Sequence, residues 1–167
     1  MPAPKPDSIP AAHLEAGSPA PKFSIAGDHG KPIDLAKLKG GPVVLYFYPK
    51  DDTPGCTTEA KDFSCLADQF KAAGATVIGV SPDSAASHAK FAKKHELTVR
   101  LGADEDKAVA TAYGVWVEKS MYGKTYMGVE RSTFLIDSSG KIAEVWRKVR
   151  VAKHAEAVLA AVKAMKK

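Results

Sequence analysis

Cysteine is scarce in this chain: two of 167 residues, Cys56 and Cys65. Two thiols are too few for the disulfide framework of a small secreted domain and point to a reducing compartment. The opening "MPAPKPDSIPAAHLEAGSPAP" has no apolar core of signal-peptide length, so a cytoplasmic location is expected. No apolar run approaches the roughly 20 residues of a membrane span. The histidines (His13, His29, His88, His95 and His154) show no ligand spacing, and no Cys/His cluster exists, which argues against a structural metal. No glycine-rich phosphate motif appears either, so no cofactor is expected. The net charge of +5 permits an anionic partner, but the lysines are interleaved with acids except in the tail "KAMKK". That is the pattern of a solvated surface rather than of a nucleic-acid interface. No long bare edge strand or coiled-coil seam argues for an oligomer, so a monomer is expected.

What is present reads as one domain preceded by an arm. Residues 1–20 hold five prolines and little apolar periodicity, and the domain is expected from residue 21 to 167. "KFSI" and "KPIDL" flank the turn cluster "AGDHG", predicting a short hairpin. "PVVLYFY", Pro42 to Tyr48, predicts a strand buried on both faces. A helix is expected from Thr57 to Lys71, then a strand over "ATVIGVS" and a helix from Ser84 to Glu96. "TVRLGAD" predicts a short strand, and "DEDKAVATAYG" a short helix with acids in its first turn. "RSTFLIDSSGKIAEVWRKV" predicts a hairpin, and His154 to Lys166 a closing helix. Alternating strands and helices, then a hairpin and helix, argue an α/β sandwich around a mixed sheet. Trp116 and Trp146 are read as packing residues.

The chemistry concentrates in "YPKDDTPGCTTEAKDFSC", which contains both cysteines. Pro54-Gly55 turns the chain and delivers Cys56 to the first turn of a helix. Backbone N–H groups and the macrodipole there favour an anion. Gly55 allows a close backbone approach, and the Thr53 hydroxyl is placed to face the same pocket. A thioredoxin-like disulfide reductase would carry C-x-x-C, but the residue three after Cys56 is Glu59.

"FYPKDDTPGCTTEA" resembles the active-site loop of peroxiredoxins, matching P-x-x-x-T-x-x-C at Pro49, Thr53 and Cys56. "YGV", "MYGK", "RSTFLID", "GKI" and "WRKV" follow in the order of the bacterioferritin-comigratory-protein, or peroxiredoxin Q, subfamily. The resemblance implies a thioredoxin-like fold and a thiol peroxidase, with thioredoxin or another thiol as the reductant. It also implies that Cys56 attacks a hydroperoxide and becomes a sulfenic acid. Complete ionisation of a free thiol of pKa ~8.5 gains only about 30-fold at pH 7, so the transition state itself must be stabilised. The resemblance makes Arg131 the cation, with the Thr53 hydroxyl and the N–H groups near Gly55 and Cys56 as donors, and Pro49 as the shield. Glu59, one turn beyond Cys56, is placed to hold Arg131 through a bidentate pair. A peroxide-sensing switch or holdase of the same fold is the alternative reading; turnover separates the two.

Cys65 departs from the subfamily pattern. Many members carry a resolving cysteine five residues after the peroxidatic one, where this chain has Lys61; others carry it in the next helix, here Ser84 to Glu96, which has none. Nine residues of helix place Cys65 roughly 180° around and about 13.5 Å along from Cys56. A disulfide needs Cα atoms within about 7 Å, so the intact helix forbids it. Cys65 is thus a spectator, an intramolecular partner after unwinding, or an intermolecular partner.

Overall fold

The computed structural model describes residues 16–27, 32–38 and 41–165. Residues 1–15 of the arm, the turn around His29, and His13 lie outside them. In chain order the strands β1 (Ser24–Gly27) and β2 (Ile33–Asp34) form the expected hairpin, followed by a 3-10 turn at Leu35–Leu38. Then come β3 (Val43–Phe47), α1 (Pro54–Cys65), α2 (Ala67–Ala72), β4 (Thr76–Ser81) and α3 (Ala85–His95). β5 (Arg100–Ala103), α4 (Ala108–Ala112), β6 (Trp116–Met121) and β7 (Lys124–Val129) precede β8 (Ser132–Ile136), β9 (Ile142–Trp146) and α5 (His154–Ala164).

Seven strands make one mixed sheet in the order β2-β1-β5-β4-β3-β8-β9, and β6-β7 is a separate ribbon. β3 lies between parallel β4 and antiparallel β8. Its alternating side chains divide between two cores, as a two-residue period requires. Val44, Tyr46 and Tyr48 enter one core with Cys56, Ala60 and Phe63 of α1, and with Val158 and Val162 of α5. Val43, Leu45 and Phe47 enter the other with Tyr113, Val115 and Phe134. Both faces are covered, which is why β3 reads as an unbroken apolar run. Tyr46 stacks on Phe63 with ring centroids 4.8 Å apart. Gly79 sits opposite Tyr46 in β4, and a Cβ there would lie 2.5 Å from the Tyr46 ring. Glycine is therefore required at that strand position by close approach.

Three expectations need correction. The helix expected from Thr57 to Lys71 starts earlier, at Pro54, and is two helices, broken at Leu66, whose ψ is 10°. The Ser64 hydroxyl accepts a hydrogen bond from the Thr98 N–H (2.9 Å), and Leu66 N–H is shared between the carbonyls of Asp62 and Phe63. The chain entering β5 thus holds Ser64, while the last turn of α1 tightens. The helix after "DED" begins at Ala108, beyond the acids; the Asp104 carboxylate instead accepts from the N–H groups of Val109 (3.0 Å) and Ala110 (2.8 Å). The β6-β7 ribbon was not anticipated. Its two-residue turn, Tyr122-Gly123, has positive φ at both positions (53° and 81°), and its strand β7 is largely exposed, which mutes the alternation that marks a strand.

At the other end of the domain the arm meets the sheet. Gly17 N–H donates to the Ile142 carbonyl (2.7 Å), Ile142 N–H to Ser18 (2.8 Å), and Ala20 N–H to Gly140 (3.0 Å). No helix among the described residues is long and apolar enough to cross a membrane.

Candidate active site

The site is assembled where β3 ends and α1 begins. Tyr48 N–H donates to the Val80 carbonyl (3.0 Å), so the strand pairing runs up to Pro49 before the loop leaves the sheet. Thr53 is the N-cap residue of α1, with extended backbone (φ −97°, ψ 157°), and Pro54 fills the first helical position, where no N–H is needed. Cys56 is therefore the third residue of the helix, with backbone donors around it and only 2 % of its surface exposed.

Arg131 arrives from the far side, immediately before β8. Its Nη2 donates to Cys56 Sγ at 3.3 Å and its Nη1 to Glu59 Oε1 at 2.6 Å. One guanidinium thus bridges the sulfur and a carboxyl placed one helical turn later on the same face. Gly55 makes room for this: a Cβ there would lie 3.2 Å from Arg131 Nη2. Burial works against the charge on Arg131, but Glu59 and Cys56 together outweigh it and raise its pKa. Glu59 is 1 % exposed, and burial lifts its pKa to about 7 although Arg131 pulls the other way. Its Oε2 has no hydrogen-bond partner, nor has the hydroxyl of buried Tyr46.

Of the residues singled out from the sequence, Cys56, Arg131 and Glu59 are brought together. The bond from Arg131 to Glu59 engages one carboxylate oxygen, not the two of the expected bidentate pair. Thr53 directs its hydroxyl to the Lys50 carbonyl (2.9 Å) and closes the loop on itself. Pro49 is half-buried at the loop's start. Cys65 ends α1 exposed, on the face opposite the buried stripe of Cys56, Ala60 and Phe63.

Two buried histidines flank this centre without having stood out by spacing. His154 begins α5 between Phe63 and Trp146, with Nε2 2.8 Å from the Thr133 hydroxyl. Burial, then the charge of Arg131, lowers its pKa to about 4, so it is neutral near pH 7 and adds no positive charge beside Arg131. His88 belongs to a cluster beneath the loop, with Asp51, Tyr48 and Ser87. The adjacent acids of "KDDT" were the one sequence signal for it, and they carry no spacing rule.

Residues 16–145 match the model of the AhpC/TSA family. The peroxiredoxin Bcp of Bacillus subtilis is 49% identical over 152 residues, covering 91% of this chain and 97% of that protein. A solved structure of Xanthomonas campestris peroxiredoxin Q superposes with a TM-score of 0.85 at 46% identity, covering 94% of this chain and 99% of that one. Another solved structure, of the bacterioferritin comigratory protein of the same organism, has a TM-score of 0.82 at 47% identity and covers 85% of this chain and 90% of that one; it is described in connection with alkyl peroxide reduction activity. The thiol at the helix start, the arginine that bridges it to a buried carboxyl, and relatives matched along nearly their whole length lead to one assignment: this chain belongs to the peroxiredoxins, in the Bcp or peroxiredoxin Q group.

Proposed function

We propose that this peroxiredoxin reduces hydrogen peroxide and organic hydroperoxides to water and alcohols, with Cys56 as the peroxidatic thiol. The observation that carries this is the Arg131 bridge, 3.3 Å from the sulfur and 2.6 Å from Glu59. Cys56 thiolate attacks the terminal peroxide oxygen; the S–O bond forms as the O–O bond breaks, and sulfur is oxidised to sulfenic acid. The departing oxygen takes a proton and leaves as water or alcohol. Charge moves from sulfur to that oxygen, and a guanidinium fixed beside both acts where it is most needed. Glu59 orients Arg131, Thr53 fixes the loop through Lys50, and Pro49 limits water at the sulfur. The backbone N–H groups of the first helical turn are the remaining donors.

A thiol then condenses with the sulfenic acid, releasing water, and a second thiol equivalent reduces the mixed disulfide. Thioredoxin or a low-molecular-weight thiol of the cytosol fills that role. Cys65 is a spectator in this cycle, because it closes the opposite end of an intact α1. One chain supplies every group named, so a monomer suffices.

The test is intact-mass analysis after one equivalent of peroxide, on wild type, Cys56→Ser and Cys65→Ser. A gain of one oxygen in wild type and Cys65→Ser, with none in Cys56→Ser, is expected. Loss of two hydrogens in wild type would mean a Cys56–Cys65 disulfide instead. Retained turnover in Cys56→Ser would overturn the assignment of the reacting atom.

A further inference from the structure

Beneath the loop that presents Cys56 lies a polar cluster that the reaction above does not use. His88 is fully buried and Asp51 is 8 % exposed. His88 Nε2 stands 2.9 Å from the Gly102 carbonyl, which can only accept, so that nitrogen carries a proton. His88 Nδ1 stands 2.8 and 3.0 Å from the two oxygens of Asp51. Those oxygens also accept from the Ser87 hydroxyl (2.7 Å) and the Tyr48 hydroxyl (2.5 Å). Every position is satisfied only if a further proton lies between Nδ1 and the carboxylate. That shared proton ties the imidazole to the Asp51 carboxyl group.

We propose that His88 is a positioning residue for the peroxidatic centre: by holding Asp51 it fixes the loop that sets Thr53 and Cys56 opposite Arg131. Asp51 lies five residues before Cys56, and its own N–H donates to Asp83 Oδ2 at 2.7 Å. The next residue, Asp52, has φ of 61°, in the left-handed region, which a non-glycine residue keeps only when its surroundings hold it there. Asp52 is tied to Lys94 (2.8 Å) and His95 (2.9 Å), in the last turn of the helix that supplies Ser87 and His88. Helix α3 is therefore a template against which the loop is laid, buried at one end and exposed at the other. Such a buried pair adds little net stability, because desolvation offsets attraction. Its effect belongs in the geometry it imposes.

The proposal rests on Cys56 being the reacting thiol, and the experiment separates the two ideas. Single-turnover oxidation by hydrogen peroxide and alkylation by iodoacetamide would be measured on reduced wild type, Asp51→Ala, Asp51→Asn, His88→Gln and Cys56→Ser. Misplacing a reacting group by about 1 Å costs on the order of 100-fold. Asp51→Ala and His88→Gln are accordingly expected to lose about tenfold or more with peroxide, while alkylation, which needs only an accessible thiolate, changes less than about threefold. Asp51→Asn restores each hydrogen bond with donor and acceptor exchanged across a neutral His88, and is expected to recover to within about threefold of wild type. Nitrogen-15 NMR of wild type should show both His88 ring nitrogens protonated, and Asp51→Asn only one. Equal losses of peroxidation and alkylation would reduce the effect to general disruption and overturn the proposal. Wild-type peroxide rates in Asp51→Ala and His88→Gln would overturn it too, leaving the role of Cys56 intact if Cys56→Ser is inert. Should Asp51→Ala fail to fold, His88→Gln and the NMR measurement decide.

Discussion

Replacing Glu59 with glutamine separates the two things its carboxyl does. In the folded protein burial raises its pKa from 4.5 to about 7, against the pull of Arg131. A carboxyl so raised favours its protonated form, so the stability it carries is complete below about pH 4.5 and is lost as pH rises through 7. At 1.36 kcal/mol per pKa unit the loss amounts to about 3 kcal/mol by pH 8.5. Glutamine keeps the shape and an oxygen for Arg131 Nη1 but does not titrate. Urea denaturation of reduced wild type and Glu59→Gln at pH 5, 7 and 8.5 measures the difference, in which the titration common to both proteins cancels. The variant should gain on wild type by about 2–3 kcal/mol across that range. Its peroxide rate should nevertheless fall, because Arg131 then lacks a charged partner to orient it. Parallel stability curves would show that Glu59 does not titrate in this range and refute the reasoning; an unchanged rate would refute the orienting role.

Arg131→Lys keeps a charge but cannot span sulfur and carboxyl at once, and should slow peroxide reduction about 100-fold, beyond any fall in thiolate fraction measured by absorbance near 240 nm. If the rate merely follows the thiolate fraction, Arg131 acts on ionisation alone. Gly79→Ala drives a methyl against the Tyr46 ring and should cost about 1–3 kcal/mol by denaturant melt, with a normal melt disproving the crowding. Cys65→Ser should turn over at the wild-type rate with thioredoxin or a small thiol, and repeated peroxide should carry Cys56 to sulfinic acid in both proteins; protection of wild type alone would give Cys65 a resolving role.

Much of the architecture is legible because its signals are local. The unbroken run ending at Tyr48 reads as a strand covered on both faces, and Pro54 marks a helix start, although Pro54 and Gly55 prove to be the first two residues of α1 and not a turn ahead of it. The pairing of Cys56 with Arg131 across 75 residues is not local, and it became visible only through motifs resembling a known family. Where reading failed, a tertiary contact had overridden a local pattern. Thr98 reaches back to Ser64 where an uninterrupted helix was expected, and nothing near Ser64 in the sequence announces it. The ribbon from Trp116 to Val129 faces solvent along much of its second strand, so burial never imposed an alternating pattern there. Asp51 and His88 were unreadable for a different reason: a carboxylate and an imidazole 37 residues apart have no characteristic spacing, and only folding places them 2.8 Å apart.

The contact between residues 17–20 and the start of β9 bears on how this edge of the sheet is protected. β9 is the last strand of the sheet, and a bare edge is a template on which another chain can pair. Here the template is already in use, through the Ile142 N–H and the carbonyls of Ile142 and Gly140. The segment laid on it does not offer an equivalent new edge, because Pro19, bridged to Lys141, and Pro21 have no N–H to give. Over residues 140–142 a further strand would therefore find no N–H at Pro19 or Pro21 to pair with. A chain trimmed of these residues would present the start of β9 unprotected, and its solubility at high concentration should fall, while the chemistry at Cys56, set beside Arg131 at the opposite end of β8, should go on unchanged.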